Sequence, residues 1–558
     1  MQTRKRITFN HAWISVGQWV RVPQHRRGLV LGGTALVVAL TSSALVSSGG
    51  DLGIVRNVEG SEIARIGAHI VQNTLTNLVA QGHNDQALDQ AFEIGDELFA
   101  AHFNAGDGSG ANVGNGSRFT RMPRADLIGS KQWATHVPSR ATGPNTQACT
   151  DCHSKPADDG AGEASTNVHR DGNHTARFNQ MVQRNTPHVF GLGGLQRLAE
   201  EMTVDLKAIR NSARAFVNCG TVRAATSVTN NLVSKGVNFG SITVSHDNNL
   251  STCRETLNPP ATGAALALSS DLVVRPFQWK GSVAFIRDFV RGAAHNEIGM
   301  QASELLGSPS VDPAGVDGDG DGVPNELFVG DITALTVYQA DQPRPTTRQE
   351  LAGVGLIPAL SATENSDIAD GSLVFDRTGC GNCHVRRLTV NDVIFREPSA
   401  NADFRDTGNL FPNGRTFSSS NFDPNNAIHF DITQDAQENN TVNAANGQPL
   451  GAFQRDSQGH AVIELFGDLR RHDMGPKLAE EIDEVGTGKS VFMTENLWGV
   501  GSTAPYLHDG RAATLTEAIL EHDGEGKAAR DAFVASSTTA QQHLVAFLNN
   551  MVLFKLEE

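Results

Sequence analysis

Two five-residue words, Cys149-Thr150-Asp151-Cys152-His153 and Cys380-Gly381-Asn382-Cys383-His384, hold four of the six cysteines in the chain. C-x-x-C-H is the attachment pattern of a c-type haem: two thiols add across the porphyrin vinyl groups, and the adjacent His becomes an axial iron ligand. A zinc site or a redox dithiol has no reason to carry His in the same slot twice. The reading is therefore two covalently attached haem c groups, through Cys149 and Cys152 and through Cys380 and Cys383. His153 and His384 would bind the irons, and the polypeptide must bind, orient and tune each group.

A chain of 558 residues is long enough for two or three domains of roughly 100–200 residues. The expected fold is mainly α, as two cytochrome c-like haem domains with irregular and small β insertions. The net charge of −16 excludes nucleic acid as a partner, because phosphate binding needs a basic surface. It suits a small redox protein as electron donor or acceptor. Arg4, Lys5, Arg6, Arg21, Arg26 and Arg27 precede an apolar run from Gly28 to about Val46. Residues 1–50 thus read as a signal peptide or an N-terminal membrane anchor, placing the body in the periplasm or otherwise outside the cytoplasm. Such a compartment permits a disulfide, and Cys219 with Cys253 is the pair left over.

Residues 51–345 form the expected N-terminal haem domain and 346–558 the C-terminal one, with Pro343 and Pro345 marking the linker. Helical spacing of apolar residues predicts helices within 60–104, at 192–216, 282–294 and 332–338, and near 477–483, 514–522 and 540–553. Alternation around Val237 to Val244 predicts a small β insertion within 217–275. Residues 397–460 are polar and Asn-rich, a long excursion expected to cover a surface or cleft. The acidic loop at 312–331 contains Asp317, Asp319 and Asp321 at alternate positions, then Gly322. That is the start of an EF-hand-type calcium loop, although Phe328 stands where the bidentate acid belongs. The bland alternative is a bare acidic turn.

The stretch T-A-P-Y-L-H-D-G at 503–510, followed by T-L-T-E-A at 514–518, resembles the T-A-P-Y-F-H-D-G and T-L-E-E-A signature of bacterial di-haem cytochrome c peroxidases and MauG-type maturation enzymes. R-N-T-P at 184–187 resembles their R-N-x-P, and F-Q-W-K-G at 277–281, leading to Asn296 and Met300, resembles their F-W-D-G and N-x-x-E-M. The H-D-M-G segment at 472–475 is similar to one in the di-haem oxidoreductase branch.

The resemblance implies a peroxidase-like oxidoreductase whose N-terminal haem binds oxidant and whose C-terminal haem transfers electrons. Counting fourteen positions from His508 gives His522 as the sixth ligand of the C-terminal haem, where relatives carry Met or Tyr. His169, sixteen residues after His153, occupies the place of a loop His that caps the other iron, with His174 close by; both are equally readable as solvated loop residues. Trp279 matches the aromatic between the haems, an electron relay or an ordinary core residue. Asn185, with the carbonyls of Thr503 and Pro505, matches an interdomain calcium site. The acid-base Glu is displaced: Gly299 holds its slot, Phe289 replaces a Gln, and Glu297 is the nearby carboxylate, with His295 a further candidate. Two other functions stay open, namely oxidation of an organic or protein substrate, and simple electron carriage.

Overall fold

The computed structural model describes residues 54–55, 68–110, 118–122, 140–175, 177–221, 226–246, 252–306, 317, 321–406, 423–434 and 450–555. The readings made on residues 1–50, on parts of the 397–460 excursion and on Asp319 lie outside the described residues. Among the described residues no helix is long and apolar enough to cross a membrane.

The first helices, α1 (Gln72–Ala80) and α2 (Asn84–Ala100), fall within the 60–104 stretch, although Ile70 lies on a short strand, His69–Ile70, rather than on a helix. Next come α3 (Leu192–Val217), α4 (Ile286–Ala293), which runs into a π turn at Ala294–Ile298, and α5 (Val329–Ala340). After these follow α6 (Arg348–Gly353), α7 (Ala362–Thr378), α8 (Leu515–Glu521), α9 (Lys527–Ala535) and α10 (Thr538–Asn549). Capping boxes start three of them: Thr347 with Glu350, Ser361 with Glu364, and Thr514 with Glu517.

The expectation of mainly α, cytochrome c-like domains is corrected. Of the described residues, helix accounts for 37% and strand for 16%, with the strands in several small sheets. Most of these ladders are two to four residues long, such as Val168–Arg170 with Val182–Arg184 and Arg471–Asp473 with Val491–Met493. Segments so short show no readable alternation, so they vanish into what looks like loop. The helix expected at 477–483 is also absent: Lys477 to Asp483 is irregular. Its Glu480 is drawn into an ion pair with Arg184, a tertiary demand that overrides a local propensity of tenths of a kcal/mol per residue.

The β insertion forms as expected. Strands Ser227–Ser234, Val237–His246 and Cys253–Asn258 make an antiparallel sheet, with Leu232, Phe239 and Ile242 buried. Cys219 and Cys253 form the disulfide that ties the end of α3 to its third strand.

Two apolar cores result. The larger joins Phe99, Leu198, Val290 and Leu335 to Phe395, Ile463 and Trp498, so it draws on both sides of the buried Pro343–Pro345 stretch. The smaller gathers Phe375, Leu515, Phe533, Leu544 and Phe547 beside Cys380. Its helices α7 and α10 touch through Gly371, where a side-chain carbon would sit 1.9 Å from the His543 carbonyl oxygen. Gly371→Ala is expected to cost about 1–3 kcal/mol in overpacking, against a gain of about 0.5–1 kcal/mol in helix propensity. The net effect should be a lower unfolding midpoint for the C-terminal core, checked by thermal melts followed by circular dichroism.

Candidate haem sites

Both Cys-x-x-Cys-His words fold into the same turn. Cys149–Asp151 and Cys380–Asn382 are single 3-10 turns, closed by His153 N to Cys149 O at 2.9 Å and His384 N to Cys380 O at 3.0 Å. They are reached differently. Gly379, at φ +83°, ends α7 immediately before Cys380. Ahead of Cys149 the chain is extended, and the Asp151 carboxylate accepts the amides of Gln147 and Ala148 at 3.1 and 3.2 Å.

Each turn borders an internal cavity. The C-terminal cavity is lined by Cys380, Cys383, His384, Phe375, Leu515 and His522, among others. His384 donates Nδ1–H to Phe466 O at 3.1 Å, and His522 donates Nδ1–H to Ala518 O at 2.9 Å. A carbonyl can only accept, so the tautomer follows and Nε2 is the free nitrogen on both rings. Burial keeps both neutral, pushing His384 down to about 4 and lowering His522. The ring centroids lie 6.4 Å apart. Two imidazole–metal bonds of about 2 Å, plus about 1.1 Å from each nitrogen to its ring centre, span about 6.2 Å. The pair therefore fits one iron between them.

The N-terminal cavity is lined by Cys149, Cys152, His153, Phe99, Phe289 and Glu297, among others. His153 hydrogen-bonds Gly160 O through Nδ1 at 3.2 Å, and burial pushes it down to about 4. Burial pushes the thiols of Cys149 and Cys152 up to about 12, and that of Cys380 upward. None of the four motif cysteines is disulfide-bonded. Protonated thiols in apolar surroundings suit neither thiolate zinc binding nor fast thiol exchange, but they fit thioether partners of a macrocycle.

Glu297 stands on the π turn with its side chain 19% exposed. Burial pushes its carboxyl up to about 7, against the pull of Arg170 at 3.9 Å and of Thr142, whose hydroxyl donates at 3.3 Å. His295, two residues earlier, is buried but does not line the cavity. Trp279 borders both cavities, as do Asn185, Thr186 and Pro187, and its Nε1–H donates to Asn185 O at 2.9 Å. His169 is not in the cavity wall. It sits on a strand where Val168 and Arg170 line the cavity, so alternation turns it to the other face, where it meets Phe178 at 6.4 Å. His174 is bonded instead to Arg140 O at 2.6 Å.

Asn185, Thr503 and Pro505 all line the C-terminal cavity. The Asn185 amide donates to Gly162 O at 3.2 Å and Asn167 Oδ1 at 3.0 Å. In the acidic loop, Asp317 accepts the amides of Asp321 and Gly322 at 3.1 and 3.0 Å, and Asp321 pairs with Arg118 at 2.7 Å.

Two features escaped the sequence reading. One is a band of alternating charge between the cavities: Arg170 with Glu484, Arg184 with Glu480 and Glu484, and Lys280 with Glu480. Its acids come from the 477–488 segment and its cations from remote ones, so no local spacing encodes it. The other is His472, held between Asp468 and Glu525; the H-D-M-G word was its only trace.

Residues 432–551 match a family model described as "Di-haem oxidoreductase, putative peroxidase". That match supports the di-haem, peroxidase-like branch. It covers His508, His522 and Glu525, and lies outside both Cys-x-x-Cys-His words. No curated protein matches the chain. If His384 and His522 share one haem iron, His522→Ala should convert that haem from low-spin to high-spin and open it to carbon monoxide. Absorption and electron paramagnetic resonance spectra check this, an unchanged low-spin signal being the contrary result.

Proposed function

We propose that this chain is an exported di-haem c-type oxidoreductase that reduces peroxide at its N-terminal haem, with electrons entering through its C-terminal haem. Cys149 and Cys152, and Cys380 and Cys383, would carry the groups as thioethers, with His153 and His384 as iron ligands. Bound haem supplies the iron that takes up the oxidant and the electrons that reduce it. The supporting observation is that the two cavities are closed by unlike groups. His522 faces His384 across the C-terminal cavity, whereas the N-terminal cavity presents Glu297.

Glu297 is the residue that moves protons. As a carboxylate it takes the proton from one peroxide oxygen, and it returns that proton to the oxygen that leaves as water. A carboxyl poised at about 7 suits both halves of this transfer near neutral pH. Phe289, Val290 and Ile298 exclude water from the same space. Trp279, which borders both cavities, is the proposed relay for electrons. Asn185 with the Thr503 and Pro505 carbonyls, and the Asp317, Asp319 and Asp321 loop, are the proposed calcium positions. A small redox protein would be the electron donor. The apolar wall around Phe289 favours one second reading, oxidation of an organic or protein substrate.

The pH dependence has a definite sign. Below about 7 Glu297 is protonated and cannot accept the peroxide proton, so kcat/KM for peroxide should rise with pH through about 7 and then level. Glu297→Gln should remove that limb and lower the rate about 10²–10⁴-fold. Steady-state assays with a reduced small cytochrome test this. Unchanged turnover in Glu297→Gln, or none in the wild type, would count against peroxide reduction.

A further inference from the structure

The H-D-M-G segment takes no part in the chemistry above, yet its His472 is among the most firmly held side chains near the C-terminal cavity. The ring is 4% exposed, with Nε2 3.0 Å from Asp468 Oδ2 and Nδ1 3.0 Å from Glu525 Oε2. Carboxylates accept and do not donate, so both nitrogens carry protons and the ring is an imidazolium. Burial opposes that charge, but the hydrogen bonds from Asp468, Cys383 and Glu525 outweigh it and push the ring up to about 11. Cys383, Asp468 and His472 also have the spacing of a metal site. A doubly protonated ring has no lone pair to offer, and Cys383 is committed to its haem, so a charge clamp is the better description.

One end of the clamp is fixed. Asp468 is 1% exposed and its other oxygen accepts Arg470 N at 3.0 Å and Thr494 Oγ1 at 2.8 Å. The other end is the turn that carries the proposed sixth ligand. Glu525 lies three residues after His522, and its Oε1 accepts Asp473 N at 2.9 Å and Ala265 N at 3.0 Å. Within that turn Gly526 packs on the ligand ring itself: a side-chain carbon there would lie 3.2 Å from His522 Cδ2.

We propose that His472 is a positioning residue that, by bridging Asp468 to Glu525, holds the 522–526 turn so that His522 stays on the C-terminal haem. Without the imidazolium, Asp468 keeps Arg470 Nη1 at 3.7 Å, but Glu525 loses its cationic partner and its link to Asp468, and the turn gives way at its Glu525 end. The proposal rests on the bis-histidine reading of that haem.

The test uses the holoprotein and reads each haem separately. In His472→Leu the hold of His522 on iron should weaken about 10- to 100-fold, as for loss of an outer-shell partner. This would appear as carbon monoxide binding and high-spin signal gained at the C-terminal haem, with the N-terminal haem unmoved. Glu525→Gln, a milder change at the outer end of the clamp, should reproduce the effect in part. The double variant should be no worse than His472→Leu, since both changes cut one linkage. Unchanged C-terminal spectra in both single variants would overturn the proposal, as would equal changes at both haems. If His522→Ala leaves the wild-type low-spin signal intact, the bis-histidine reading fails first and takes this proposal with it.

Discussion

Three half-buried imidazoles, His153, His384 and His522, each give their Nδ1 proton to a backbone carbonyl, and the sites depend on that bond. It fixes the tautomer, aims the ring and leaves Nε2 as the free donor atom. Because burial disfavours the charged ring, each imidazole stays neutral at the pH where a metal needs its lone pair. The carbonyls come from Gly160, Phe466 and Ala518, in a loop, a strand connection and a helix end. The fold spends very different pieces of backbone on one requirement.

The two sites diverge in what completes them. At the C-terminal cavity, α8 ends so that its first residue beyond the helix, His522, faces His384. At the N-terminal cavity the chain beyond α4 widens into a π turn, and the residue it brings inward is Glu297. Such widened turns recur where a helix must redirect a side chain. On the proposed function, His522 on one side and the Glu297 carboxyl on the other would divide electron transfer from chemistry. Between them, Trp279 and Asn185–Pro187 form a wall shared by both cavities. The band of Arg170, Arg184, Lys280, Glu480 and Glu484 braces that region with paired, partly buried charges.

Much of the helical framework was legible, because α1, α2, α3, α5, α8 and α10 carry apolar residues at helical spacing or a capping box. The strands were less so. A three-residue ladder such as Arg471–Asp473 has no period to read, and only its pairing with Val491–Met493 makes it a strand. The segment at 477–483 looks like a helix by composition, but its glutamate answers to Arg184, nearly three hundred residues away in sequence. His169 shows the converse: an offset suggested a ligand, while strand alternation turned it from the cavity.

The sequence alone determined the two matching turns, since two thiols and a His at fixed spacing close locally without a distant partner. It also determined the disulfide by elimination, while His522 was singled out only through the family resemblance. Only the tertiary structure decided which carboxylate enters the N-terminal cavity, which histidines stay out of it, and that His472 is clamped between Asp468 and Glu525. Those outcomes depend on direction and on burial, which arise when segments far apart in the chain close around one space.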